Sequence, residues 1–219
     1  IDPDLARVVR KAGEDRGVEF KLGVTPVAFE GGDRVKEVAT SDGDLIKADF
    51  VVLAIGQTPN TALASSAGVK CSDYGIVVDE RSRAAEDVYA AGDCAQQRNV
   101  VTGSPANFGL GTVAYWQARV AGLNIAGINA SSPGWLGAAA THVFDLEVAC
   151  VGINTRCARR AGIDVVSVLV PSWNAAEYYP RKSRVYLKII VRRDDGRLVG
   201  AQVVGPRGSA QRIALLSLV

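Results

Sequence analysis

The run Phe50-Val51-Val52-Leu53-Ala54-Ile55-Gly56 limits the fold more than any other stretch of this chain. Side chains alternate between the two faces of a strand, and here neither face offers a residue for water. Such a run predicts a strand buried between helix layers, as in the parallel sheet of an α/β protein. It ends in Gly56, where a flat ring could approach the backbone without meeting a side chain. Pro59 and Asn60 then set a turn, and residues 61–67 read as a short helix. An ordinary strand followed by a loop accounts equally well for this stretch taken alone.

Upstream, Asp2-Pro3-Asp4 is a helix start: Asp2 suits the N-cap, Pro3 the first turn, and Asp4 the positive end of the helix dipole. Leu5, Val8, Val9 and Ala12 recur at helical spacing, and Gly17 ends the element. Short strands are predicted over 18–22, 25–29, 35–40 and 45–48, a meander broken by Gly31-Gly32-Asp33 and Ser41-Asp42-Gly43-Asp44.

Downstream, Val88-Tyr89-Ala90-Ala91 reads as a second buried strand and runs into Gly92-Asp93. That places a permissive backbone and a carboxylate just beyond a strand end, where open α/β folds bind ligands. A plain Gly-Asp turn explains the eight residues 88–95 by themselves. Residues 100–111 form a Gly-, Ser-, Pro- and Asn-rich loop, and Thr112 is the predicted N-cap of a helix over 113–125. Ala114, Ala118, Ala121 and Gly122 would give that helix one thin face. Residues 128–140 carry the breakers of a linker. Beyond it the pattern is strand-rich α+β: strands over 141–144, 147–152, 164–171, 184–191 and 198–204, helices over 155–161 and from 209 to 219.

Composition narrows the class. The chain has 219 residues, 48% hydrophobic and 22% charged, with a net charge of +2. No basic stripe argues for nucleic acid, and no apolar segment has the length of a membrane span. The four cysteines form no C-x-x-C pair and read as structural thiols, so no metal site and a cytoplasmic location are expected. The chain opens on Ile1, contains no Met, and stops within an apolar helical pattern, so both ends read as cut.

Three landmarks occur in order: Ala54-Ile55-Gly56-Gln57-Thr58-Pro59-Asn60, then Gly75-Ile76-Val77-Val78-Asp79, then Val88-Tyr89-Ala90-Ala91-Gly92-Asp93. In that order they resemble the pyridine nucleotide–disulfide oxidoreductase family. Residues 198–205 and 141–144 resemble its C-terminal dimerisation domain, and Tyr178-Tyr179-Pro180 resembles an element of its coenzyme A-disulfide reductase and NADH oxidase branch. The resemblance implies an FAD-dependent NAD(P)H oxidoreductase. Its domains would be the C-terminal part of a nicotinamide-binding domain (1–70), the C-terminal part of an FAD-binding domain (71–128), and a dimerisation domain (141–219).

By the same resemblance Gly92 and Asp93 would meet the ribityl chain of FAD, and Gly56 would give the nicotinamide access. Val113 and Ala114, opening a helix, would stabilise the reduced flavin. Tyr178 or Tyr179 would act across a homodimer, although an aromatic pair at a loop or interface explains them as well. The acceptor would be a small-molecule thiol or disulfide, a persulfide, oxygen or a redox protein. The family's Gly-rich fingerprints and redox cysteine are not in this sequence, so the piece is not expected to hold a dinucleotide tightly alone. A ferredoxin- or rubredoxin-type reductase, or a non-catalytic dimerisation module, are the alternatives.

Overall fold

The computed structural model describes residues 1–217. They divide into two compact units, Gly13–Gln57 and Ile1–Ala12 with Thr58–Val219. Helix α1 (Pro3–Glu14) starts where the sequence predicts, with Asp4 in its first turn and the Ala6 amide bonded to Asp2 O at 2.9 Å.

In the Gly13–Gln57 unit, β1 (Pro26–Gly31), β2 (Val35–Thr40) and β3 (Leu45–Lys47) form the expected antiparallel meander with β2 in the centre. Its β2–β3 turn is tied by Thr40 Oγ1 donating to Asp42 Oδ1 at 2.6 Å and by Lys21 pairing with Asp42 at 2.9 Å. Two predicted strands are absent. Residues 18–22 stay irregular, and the Val18 amide turns back to Gly13 O at 3.0 Å. The run 50–56 is irregular too, with Phe50, Val52 and Ile55 exposed at 77%, 76% and 83%. A strand exists only through hydrogen bonds to a neighbour, and none of the described strands lies alongside this one.

The larger unit continues with α2 (Ala62–Ser66) and three two-stranded antiparallel ribbons. These are β4 (Cys71–Ser72) with β5 (Gly75–Ile76), β6 (Arg83–Ala85) with β7 (Val88–Tyr89), and β8 (Gln97–Arg98) with β9 (Pro105–Ala106). Helix α3 (Gly111–Ile125) follows. Every sheet of the described residues is antiparallel, and parallel pairing is confined to two isolated bridges, Ile76 with Ala95 and Asn99 with Trp135. The parallel sheet expected for residues 50–56 and 88–91 is therefore not formed by the described residues, because their apolar faces have no adjacent parallel strands.

After residue 138 come β10 (Ala139–Val143), β11 (Leu146–Gly152), α4 (Thr155–Arg160), β12 (Val165–Trp173), β13 (Arg184–Arg192), β14 (Leu198–Gly205) and α5 (Gln211–Leu216). Five strands pair in the order β10-β11-β14-β13-β12. Central β14 is buried on both faces. Ala149, Val151, Val185, Ala201 and Val203 pack against Ile213 of α5, while Ile153, Ile190 and Val199 pack with Ala158 of α4. Glu147 seats α5 by accepting the Ala210 amide at 2.8 Å. That bond and one from the Gly208 amide hold its carboxyl below the usual carboxylate range. His142 stands opposite Glu147 on the neighbouring strand, 3.4 Å away. The helix predicted from residue 209 forms over Gln211–Leu216, and positions 218 and 219 lie outside the described residues.

The lead-in to α1 docks on this sheet. Lys188 and Gln202 are register partners on β13 and β14, and Cys150 partners Gln202 on β11, so the three share one face. The Asp2 amide donates to Gln202 Oε1 at 2.6 Å. Lys188 Nζ lies 3.0 Å from Asp2 and 2.7 Å from Asp4. The Asp2 carboxylate accepts the Thr155 amide and hydroxyl at 3.2 and 2.9 Å. Asp2 thus sits at the N-cap of α1 but spends its side chain on α4 and the sheet.

Candidate functional site

The Gly92–Asp93 turn forms where β7 leaves its short ribbon. Gly92 has φ +86°, a left-handed conformation that glycine adopts without strain. Ahead of it, the Ile76 amide bonds Cys94 O at 2.8 Å and the Gln96 amide bonds Ile76 O at 2.8 Å, pinning the chain on the far side of the turn. Ala95 is fully buried, while Asp93 is exposed and its carboxylate takes no hydrogen bond or ion pair from the described residues. A negatively charged acceptor therefore projects from a fixed backbone.

Helix α3 begins beside this turn, and a β-carbon on Gly92 would lie 3.8 Å from that of Ala114. The helix starts at Gly111, not at residue 113 as predicted. Its N-cap is Leu110, with no side-chain cap, so Thr112 lies inside the first turn. The Ala114 amide is committed to Leu110 O at 3.0 Å. The amides of Gly111, Thr112 and Val113 precede that bond, at the positive end of the helix dipole. The buried face is Val113, Gln117 and Ala121, one step around the helix from the expected thin face, since Ala118 and Gly122 are exposed.

The remaining expected residues lie elsewhere. Gly56 has φ +108° in the Gly13–Gln57 unit, with open space where a side chain would stand. Tyr178 and Tyr179 sit in the β12–β13 loop, 83% and 54% exposed, their ring centroids 5.2 Å apart. They share no hydrogen bond or ring contact with the Gly92–Asp93 turn. At the base of that loop, Arg184 of β13 and Lys182 of the loop lie 3.9 and 5.2 Å from the ring centroid of Trp173 at the end of β12.

Two residues at the turn escaped the sequence reading. Gln117 accepts the Gly92 amide at 2.9 Å through Oε1 and donates to Gln96 O at 3.3 Å. Asn107 donates from Nδ2 to Asp93 O at 2.8 Å and to Tyr74 O at 3.1 Å. The available signal was a glutamine spaced four residues from Val113 and from Ala121, on a helix face that otherwise buries apolar groups.

The donors and acceptors present could meet a hydroxylated chain at Asp93 and an electron-rich ring edge at the start of α3. Sequence comparison identifies the family. The family model described as pyridine nucleotide-disulphide oxidoreductase matches residues 1–118, and that of the family's dimerisation domain matches residues 138–219. This chain belongs to the pyridine nucleotide-disulphide oxidoreductase family.

It is similar to an NADH oxidase of Methanocaldococcus jannaschii, 34% identical over 219 residues, which cover all of this chain and 48% of that one. It is also similar to an NAD(P)H coenzyme A polysulfide/persulfide reductase of Pyrococcus horikoshii, 36% identical over 190 residues, or 86% of this chain and 42% of that one. The solved structure of an NAD-dependent persulfide reductase from A. fulgidus superposes with a TM-score of 0.95 at 37% identity, covering all of this chain and 41% of that one. The chain thus spans less than half the length of these relatives.

Proposed function

We propose that the protein to which this chain belongs is an FAD-dependent oxidoreductase that takes hydride from NAD(P)H and passes electrons to a disulfide or persulfide. The observation that carries this reading is the free Asp93 carboxylate at a Gly92 turn packed on the uncapped start of α3. FAD, when bound, supplies the hydride-accepting chemistry. Asp93 would accept hydrogen bonds from the ribityl hydroxyls. The amides of Gly111, Thr112 and Val113 would face the flavin pyrimidine edge, where negative charge collects on reduction. Ala114 would contribute the small side chain that lets Gly92 come close. Gly56, with open space around it, would admit the nicotinamide ring.

The domain reading is 1–70 nicotinamide-binding, 71–128 FAD-binding and 141–219 dimerisation. In the complete protein, residues 50–56 and 88–91 would each join a parallel sheet, which explains why 50–56 is apolar on both faces. The assembly would be a homodimer, with Tyr178 or Tyr179 reaching the partner's site. The four free cysteines suit a reducing cytoplasm. A sulfur acceptor is favoured by the names of the P. horikoshii and A. fulgidus relatives. The acceptor of an NADH oxidase is the second reading, since the M. jannaschii relative matches the whole chain. Asp93→Ala in the full-length protein is expected to weaken FAD binding at least about tenfold, the size of a lost charge-assisted hydrogen bond. Visible absorbance after gel filtration reads the occupancy. Full occupancy would overturn the assignment.

A further inference from the structure

The backbone around Asp93 is held by side chains as well as by other backbone. Gly92, just before it, has the most conformational freedom of any residue type, and its left-handed φ is not imposed by a strand or a helix. The bonds that restrain the turn directly are few. The Ala95 amide donates to Gly92 O at 3.0 Å, the Gln117 Oε1 accepts the Gly92 amide at 2.9 Å, and Asn107 Nδ2 donates to Asp93 O at 2.8 Å. One carboxamide therefore holds the Ala91–Gly92 peptide before the glycine, and the other holds the Asp93 carbonyl after it.

Each carboxamide is itself fixed. Gln117 is 4% exposed, and its Nε2 donates to Gln96 O at 3.3 Å. The backbone of Gln117 is tied in turn, its carbonyl accepting Ser82 Oγ at 3.3 Å. Asn107 bonds Tyr74 O at 3.1 Å through the same Nδ2 and accepts the Gly109 amide at 3.2 Å through Oδ1. The loop carrying it is pinned by the next residue, whose Phe108 amide donates to the buried Gln97 side chain at 2.8 Å. Gln117 comes from α3 and Asn107 from the loop that precedes it, so the pair also sets the carboxylate relative to the helix start.

We propose that Gln117 and Asn107 are positioning residues for the cofactor-binding carboxylate of Asp93. The proposal rests on the flavin reading above and adds the mechanism by which the carboxylate is pre-ordered. A carboxylate on a glycine hinge loses orientational freedom when a ligand binds. The two amides meet that cost during folding, before ligand arrives. Neither side chain touches the ligand in this scheme. Their effect passes entirely through Asp93.

The test is a double-mutant cycle in the full-length protein, stripped of flavin and titrated with FAD up to millimolar concentration by flavin fluorescence. Asn107→Ala and Gln117→Leu are each expected to raise the FAD Kd about tenfold, comparable to one ordered charge-assisted hydrogen bond. In an Asp93→Ala background, each is expected to change the Kd less than about twofold, because its target is gone. Apoprotein melting of each variant separates loss of fold from loss of ordering, and Asn107→Ala, at a half-buried loop position, serves if Gln117→Leu does not fold. Equal effects in both backgrounds would overturn the proposal, as would wild-type affinity in both single variants while Asp93→Ala weakens binding. Wild-type affinity in Asp93→Ala would overturn the flavin reading and this proposal together.

Discussion

Gly75 shows how one residue can decide the local path of the chain. It has φ +121°, and a β-carbon there would lie 2.5 Å from Cys94 O and 2.9 Å from the Ala95 carbonyl carbon. That close approach lets β5 run against residues 94–96 and form the Ile76–Ala95 bridge that pins the Gly92–Asp93 turn. Gly75→Ala therefore meets both an unfavourable φ and a backbone clash, and is expected to cost about 2–3 kcal/mol. Urea unfolding would report it as a lower midpoint at unchanged slope. At Gly92 the reason for glycine is different: the position has room for a methyl group, and only φ selects the residue. From sequence both were glycines beside apolar runs. Gly92 was legible as a candidate because Asp93 follows it, whereas the demand on Gly75 comes from a segment about twenty residues away and shows only in three dimensions.

At the scale of elements, the buried charges joining α1 to the five-stranded sheet are the clearest case. Burial would raise the Asp2 carboxyl, but hydrogen bonds from Lys188 and Thr155 and the Lys188 charge bring it below its ordinary 3.8. Burial would likewise lower Lys188, and its bonds to Asp4 and Asp2 carry it above its ordinary 10.5. A depressed carboxyl contributes stability above its unfolded value and loses it as pH falls through the folded value. A raised amine contributes fully below its unfolded value and loses it as pH rises through the folded value. The cluster is therefore expected to stabilise at full strength across the neutral range, fading below pH 3.8 and above pH 10.5. Lys188→Met, which strands a buried carboxylate, is expected to cost on the order of 3 kcal/mol at pH 7. Melting temperatures of the two proteins should converge toward both pH extremes; a constant gap would show that packing, not charge, holds the helix. Asp2 read as a helix N-cap in sequence, and it is one by position. Its ion pair with a lysine 186 residues away carries no local signal.

For the whole molecule, two measurements follow from the family assignment and its domains. The full-length protein is expected to elute as a dimer, and to become monomeric when residues 138–219 are removed, as light scattering would show. A dimer surviving the deletion would place the interface elsewhere. The 219-residue chain by itself is expected to purify without yellow colour, because the family's Gly-rich fingerprints, which would hold a pyrophosphate, are not in its sequence. What the amino-acid order determined by itself had short-range causes. The meander over 26–47 and the strands after residue 138 follow from alternation and turn residues, α1 from its capping signals, and the candidate carboxylate from Gly92-Asp93. Only the tertiary structure decided which apolar runs become strands and what holds Asp93 in place. Residues 50–55 have the side chains of a buried strand, yet a strand needs a partner's backbone, and the described residues offer none. Gln117 and Asn107 are ordinary polar residues in sequence, and they gain their role because folding brings two side-chain amides to the backbone of one Gly-Asp turn.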